Sequence, residues 1–138
     1  MTYKYVIYLL LLIISGSCTL PDIEPEVQTD IPVTLFPDYT GVTFPSNIAP
    51  PNFRIIEEGD EYYTEIGNKE RGYITIRSKQ SSVIIPVEKW RELLKHTAGN
   101  TFYIRISIHR NGKWIQHPDI TNVISRSPID PYLVYRLI

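Results

Sequence analysis

Three histidines, His96, His109 and His117, are the residues of this chain best suited to proton transfer or metal ligation. A metal site needs several such ligands converging at short spacing. His96 falls at the end of a candidate helix, His109 on the wet phase of a candidate strand, and His117 just before Pro118 in a candidate turn. No two share ligand spacing on one element, so the expectation is three solvent-facing histidines and no metal site. The serines stand as Ser81-Ser82, Ser125 and Ser127, none inside a Gly-x-Ser-x-Gly elbow. The seven glycines are scattered rather than gathered into a phosphate-cradling loop. The run EEGDE (Glu57, Glu58, Asp60, Glu61) has the carboxylates for Ca²⁺ but not the alternating spacing of an EF-hand loop. It reads better as a polar turn. No catalytic set and no cofactor are expected, and the chain is not expected to be an enzyme.

One residue has a more specific setting. Cys18 is the single cysteine, and it closes a short N-terminal leader. Lys4 supplies a positive start, Val6 to Ile14 are apolar, and Ser15-Gly16-Ser17 are small residues suited to cleavage. This is the layout of a secretory signal peptide, and the apolar run is shorter than the roughly 20 residues needed to span a bilayer. Small residues followed directly by cysteine resemble the bacterial lipobox, whose cysteine is acylated after the chain is cut before it. The motif usually has Leu three positions before the cysteine; Ser15 stands there, with Ile14 one step earlier. An exported protein enters an oxidising compartment where a lone thiol is a liability, and a thioether to lipid removes it. One acyl chain anchors only marginally, whereas several hold firmly. The resemblance implies lipid attachment at Cys18 and a place in the cell envelope, at the outer membrane on its periplasmic or surface face.

The segment after Cys18 has a different composition. Seven of the eleven prolines lie between Thr19 and Pro51, with five acidic residues there and no Lys or Arg. Proline fixes φ and removes a donor, so neither a helix nor a central strand is expected. Residues 18–51 read as a Pro-rich acidic tether, ending in a strap whose Phe36, Tyr39, Val42, Phe44 and Ile48 lie against the domain. Residues 1–17 are the leader, and residues 52–138 the domain itself. From Asn52 onward thirteen basic residues face ten acidic ones, and the whole chain carries a net charge of -1. That balance sets up no field that would recruit nucleic acid.

Within the domain the pattern is mostly β. Phe102, Ile104, Ile106 and Ile108 alternate with Tyr103, Arg105, Ser107 and His109, the period-two signature of a strand with one buried face. Asn111-Gly112 follows, a strong type I′ hairpin signal, and Trp114 begins the return. EYYTEI and YITIR form a second hairpin bracketed by Gly67 and Gly72, while FRIIEE and SSVIIP add two more strands. IPVEKWRELLKHTAG breaks the pattern. Val87, Trp90, Leu93 and Leu94 share a helical face, Pro86 and Glu88 suit its start, and Lys95, His96 and Gly99 suit its end. The expectation is a mainly β fold: a small antiparallel, immunoglobulin-like β-sandwich with one short α-helix plugging an end. Tyr63, Tyr73, Tyr103 and Trp114 are the candidate binding surface, since exposed rings on strand faces anchor partners or stack on sugars. The main functional expectation is a non-catalytic binding or scaffolding module. A glycan-binding accessory protein is the alternative.

FPDYTGVTFPSNIAPPNFRI, IPVEKWRELL and PIDPYLVYRLI resemble the N-terminal region of Bacteroidetes lipoproteins in which a small β domain precedes a TolB-like β-propeller. The resemblance spans Phe36 to Ile138. It implies a chain that continues past YLVYRLI into a propeller. This sequence stops there, so a truncated or split product is expected, with Tyr132 to Ile138 left free to bind a protein partner or a second copy.

The anchor is directly testable. Cys18→Ser should move the protein from the membrane pellet to the soluble fraction on cell fractionation. Undiminished pelleting of that variant would show that the sulfur carries no lipid.

Overall fold

A computed structural model describes residues 23–68 and 72–130, with Tyr73 described by its backbone alone. The leader, Cys18 and the segment from Tyr132 to Ile138 lie outside the described residues. The described residues form a small, mainly β sandwich with one α-helix, as the sequence patterning predicts. Its elements run β1 (Val27–Gln28), β2 (Leu35–Phe36), β3 (Thr43–Phe44), β4 (Phe53–Ile55), β5 (Glu61–Asn68), β6 (Gly72–Ser78), β7 (Ser82–Val83), α1 (Val87–Thr97), β8 (Thr101–Arg110), β9 (Lys113–Gln116) and β10 (Ile120–Ile124).

The alternating strand becomes the centre of a seven-stranded sheet. On β8, Phe102, Ile104, Ile106 and Ile108 are all 2% exposed or less. One edge of β8 pairs antiparallel with β5, from Glu61↔His109 to Gly67↔Tyr103, and β6 lies beyond β5. The other edge is shared: β10 takes its first residues and β9 its last. Asn111 (φ 53°) and Gly112 (φ 76°) adopt the two left-handed conformations that a type I′ turn requires.

The outermost pairings differ from an all-antiparallel sandwich. β1 adds parallel to β9 and β3 adds parallel to β10. Both come from the proline-rich segment. They reach the sheet by long connections, so no hairpin forces an antiparallel sense. β2, β4 and β7 form a second, three-stranded antiparallel sheet. Its inward Leu35, Phe53, Ile55 and Val83 are buried, while Phe36 faces outward beneath the Arg54 guanidinium, 5.9 Å from its ring centroid. The two inner faces together make one core.

The helix α1 closes the end of the sandwich where β8 begins. Trp90 is fully buried, its ring meeting Phe44 at 6.1 Å and Phe102 at 5.9 Å in edge-on contacts. Its indole N–H donates to the Ile48 carbonyl at 3.0 Å, so the polar atom is satisfied as well. Leu93, Leu94 and Thr97 complete the buried stripe. Val87 does not join it and is 47% exposed. It sits in the first turn, beyond the edge of the core that Trp90 reaches.

Trp90→Ala should destabilise the domain by about 3–5 kcal/mol, a large part of the stability of a domain this size. Urea unfolding measures it, and an unchanged midpoint would contradict the packing described. Gly59 gives a second test. A methyl group there would collide with the Cγ2 of Ile108, with the His109 carbonyl also close. Gly59→Ala should cost about 1–3 kcal/mol, the range for overpacking, on the same unfolding curve.

Candidate functional site

The outer face of the larger sheet collects most of the charged and aromatic candidates. Strand register sets the rows. Arg77, Tyr63, Ser107 and Gln116 lie side by side across β6, β5, β8 and β9. Glu61, His109 and Trp114 form the next row. Side chains alternate across a strand, so these residues share the face opposite the core.

Trp114 organises this surface. Its ring meets that of His109 at 5.1 Å and that of Tyr63 at 6.5 Å. The Arg77 guanidinium stands 5.7 Å from the Trp114 ring centroid, in cation–π range. Arg77 also makes a two-point pair with Glu61, Nε to Oε1 at 2.8 Å and Nη2 to Oε2 at 2.9 Å. Its hydrogen bonds hold the Glu61 carboxyl below its usual value, and the same pair raises the pKa of Arg77.

The second polar cluster is built on a bulge. Ser107 pairs with Gln116 and Ile104 with Ile120, so three steps on β8 oppose four on the returning chain. The extra residue falls within His117-Pro118-Asp119. A bulge re-aims side chains. Here Asp119 forms a two-point pair with Arg105, both distances 2.9 Å. Glu65 lies 3.6 Å from the same guanidinium. The His117 Nδ1–H donates to the Ile31 carbonyl at 2.9 Å, since a carbonyl can only accept.

Several sequence-predicted positions change character. Tyr63 is not an open ring: it is 3% exposed, because Trp114 and Arg77 pack over its part of the face. Ser107, in the row between Tyr63 and Gln116, is likewise 3% exposed. Tyr103 and Trp114 are half-buried. Tyr73 pairs by its backbone with Gly67, which pairs in turn with Tyr103, so those positions share a cross-strand row. His96 is exposed, but His109 and His117 are half-buried by Trp114 and the strap. The EEGDE carboxylates disperse to separate partners. Glu57 accepts from the Thr34 N–H at 2.8 Å, Asp60 lies 3.7 Å from His109, and Glu61 holds Arg77. Among the described residues no three His, Cys, Asp or Glu side chains gather as a metal site, and no helix is long and apolar enough to cross a membrane.

The Arg105–Asp119 clamp had no local sequence signal beyond Pro118 interrupting the return strand. What the face offers chemically is paired charge beside half-covered aromatic surface.

The Glu61–Arg77 pair predicts a pH dependence. A carboxyl whose pKa falls on folding contributes stability above its unfolded value and loses it as pH drops through the folded value. Arg77→Leu should therefore be less stable than the parent at neutral pH, and the gap should narrow as pH falls below the ordinary carboxylate range. Urea midpoints across that range measure it. A gap independent of pH would assign the whole contribution of Arg77 to packing on Trp114.

No family model, curated protein or solved structure matches this chain.

Proposed function

We propose that the chain is a lipid-anchored, non-catalytic binding module of the cell envelope, held at the outer membrane through Cys18. The observation that carries this reading is the mount. Eight residues, 19–26, separate Cys18 from the start of β1. The chain then locks to the domain edge: the Glu26 N–H donates to the Trp114 carbonyl at 3.2 Å and the Thr29 N–H to that of Gln116 at 3.0 Å. At about 3.3–3.6 Å per residue, β1 begins no more than about 32 Å from the Cα of Cys18. Such a domain is carried close to the bilayer rather than on a long free leash.

The mount and the Trp114 cluster share strand β9, so the cluster is carried near the membrane with it. Aromatic residues and arginine are the types enriched at the centres of protein interfaces. Tyr103, Trp114 and the Arg77 and Arg105 pairs supply them here. Sugar stacking asks for an open ring face, and the Trp114 ring already has Arg77 against it and His109 beside it. The contact geometry therefore favours a protein partner over a glycan.

Cross-linking in native membranes should trap a discrete adduct that Trp114→Ala abolishes while the protein stays folded and in the pellet. Retention on polysaccharide, lost on the same substitution with no protein adduct in the parent, would replace this reading by the glycan-binding one.

A further inference from the structure

A groove of about 540 Å³ runs between residues 46–50 and α1. Ile48, Ala49, Pro50, Val87 and Leu94 give it apolar walls, with Arg91 and Lys95 also lining it. The walls are held in place. The Trp90 indole binds the Ile48 carbonyl, and the Ile48 N–H donates to the Pro45 carbonyl at 3.3 Å. Val87 opens onto this groove, which accounts for an apolar residue of the helix left 47% exposed.

The chain is pinned at the lip of the groove. Asn47, which lines it, grips the backbone of Ile129 from both sides: its Nδ2–H donates to the Ile129 carbonyl at 3.0 Å, and its Oδ1 accepts from the Ile129 N–H at 2.9 Å. The amide imitates a neighbouring strand and fixes both position and direction. Asp130 precedes Pro131, which biases it to extended backbone. Residues 131–138, PYLVYRLI, then follow, rich in apolar and aromatic side chains.

We propose that residues 131–138 dock in cis into the groove beside α1. Eight extended residues reach at most about 26–29 Å, whereas an eleven-residue helix is about 16 Å long. The segment is thus long enough to follow the whole helix from the point where Asn47 holds it. Apolar side chains from Tyr132 to Ile138 gain cover, and Val87 gains a neighbour. The proposal does not depend on lipidation or on the Trp114 face.

Hydrogen exchange on the chain carrying Cys18→Ser tests it. Ending the chain after Asp130 should speed amide exchange in α1 and residues 46–50 by about tenfold or more, with β5 and β8 unchanged. Val87→Lys in the chain that runs to Ile138 should give the same local loss and open residues 131–138 to protease. A cysteine pair, Val87→Cys with Leu133→Cys or Tyr135→Cys, should close within one chain independently of concentration. Exchange in α1 indifferent to the deletion would overturn the proposal. So would cross-links that form only between copies, which would assign the segment to self-association.

Discussion

β8 is hydrogen-bonded along both edges, and the position of every other strand in the larger sheet follows from it. One edge belongs to β5 alone. The other must accommodate two strands end to end, β10 on the first residues and β9 on the last. They are one returning chain, and it keeps its inward residues inward on both halves only by absorbing an extra residue. A one-residue slip would otherwise reverse its faces. The bulge at His117-Pro118-Asp119 absorbs it, and Pro118 brings no N–H that would need a partner there.

The proline-rich segment is organised around that bulge. β1 joins β9 on one side of it and β3 joins β10 on the other. Between them the chain crosses to the smaller sheet, passing the His117 ring at Ile31 and burying Val33 and Leu35. It returns to β10 at Val42, whose N–H donates to the Asn122 side-chain oxygen at 2.8 Å. Asn122 is 1% exposed, so this buried amide specifies where the strap rejoins the sheet. Phe44 then enters the aromatic cluster with Phe102 and Trp90. Two layers become one core because this single segment contributes strands to both.

What was legible in the sequence was what local patterning encodes. Strict alternation marked β8, Asn111-Gly112 marked its hairpin, and spacings of three and four marked Trp90, Leu93 and Leu94 as the buried stripe of α1. The proline-rich segment was harder to read, because its strands are two residues long and two of them, β1 and β3, pair with partners some 80 residues away. Proline content argued correctly against a central strand and could not indicate which edge would be joined. Val87 obeyed helical spacing but lay past the end of the core. Tyr63 had the phase of an outward side chain, and nothing local reveals that a tryptophan on a strand two places away will cover it. Cross-strand register, which creates the Arg77–Glu61 and Arg105–Asp119 pairs, is a property of the assembled sheet.

That covering explains the composition of the outer face. The three-stranded sheet packs on one side of the larger sheet, and nothing among the described elements packs on the other. A bare strand face of small polar residues would leave the hydrogen bonds around β8 open to water. Trp114, leaning toward Tyr63 with Ser107 buried in the row between, gives the β5–β8–β9 corner a partial second core one side chain thick. Arg77 and His109 extend it while keeping their polar atoms at the surface, as amphipathic side chains do. Tyr63 and Trp114, which read as ligand contacts, therefore already have a structural task. Any partner of this face would meet the top of a packed cluster whose charges are paired in advance, so recognition would rest on matching that shape and rearranging existing ion pairs rather than on filling an empty site.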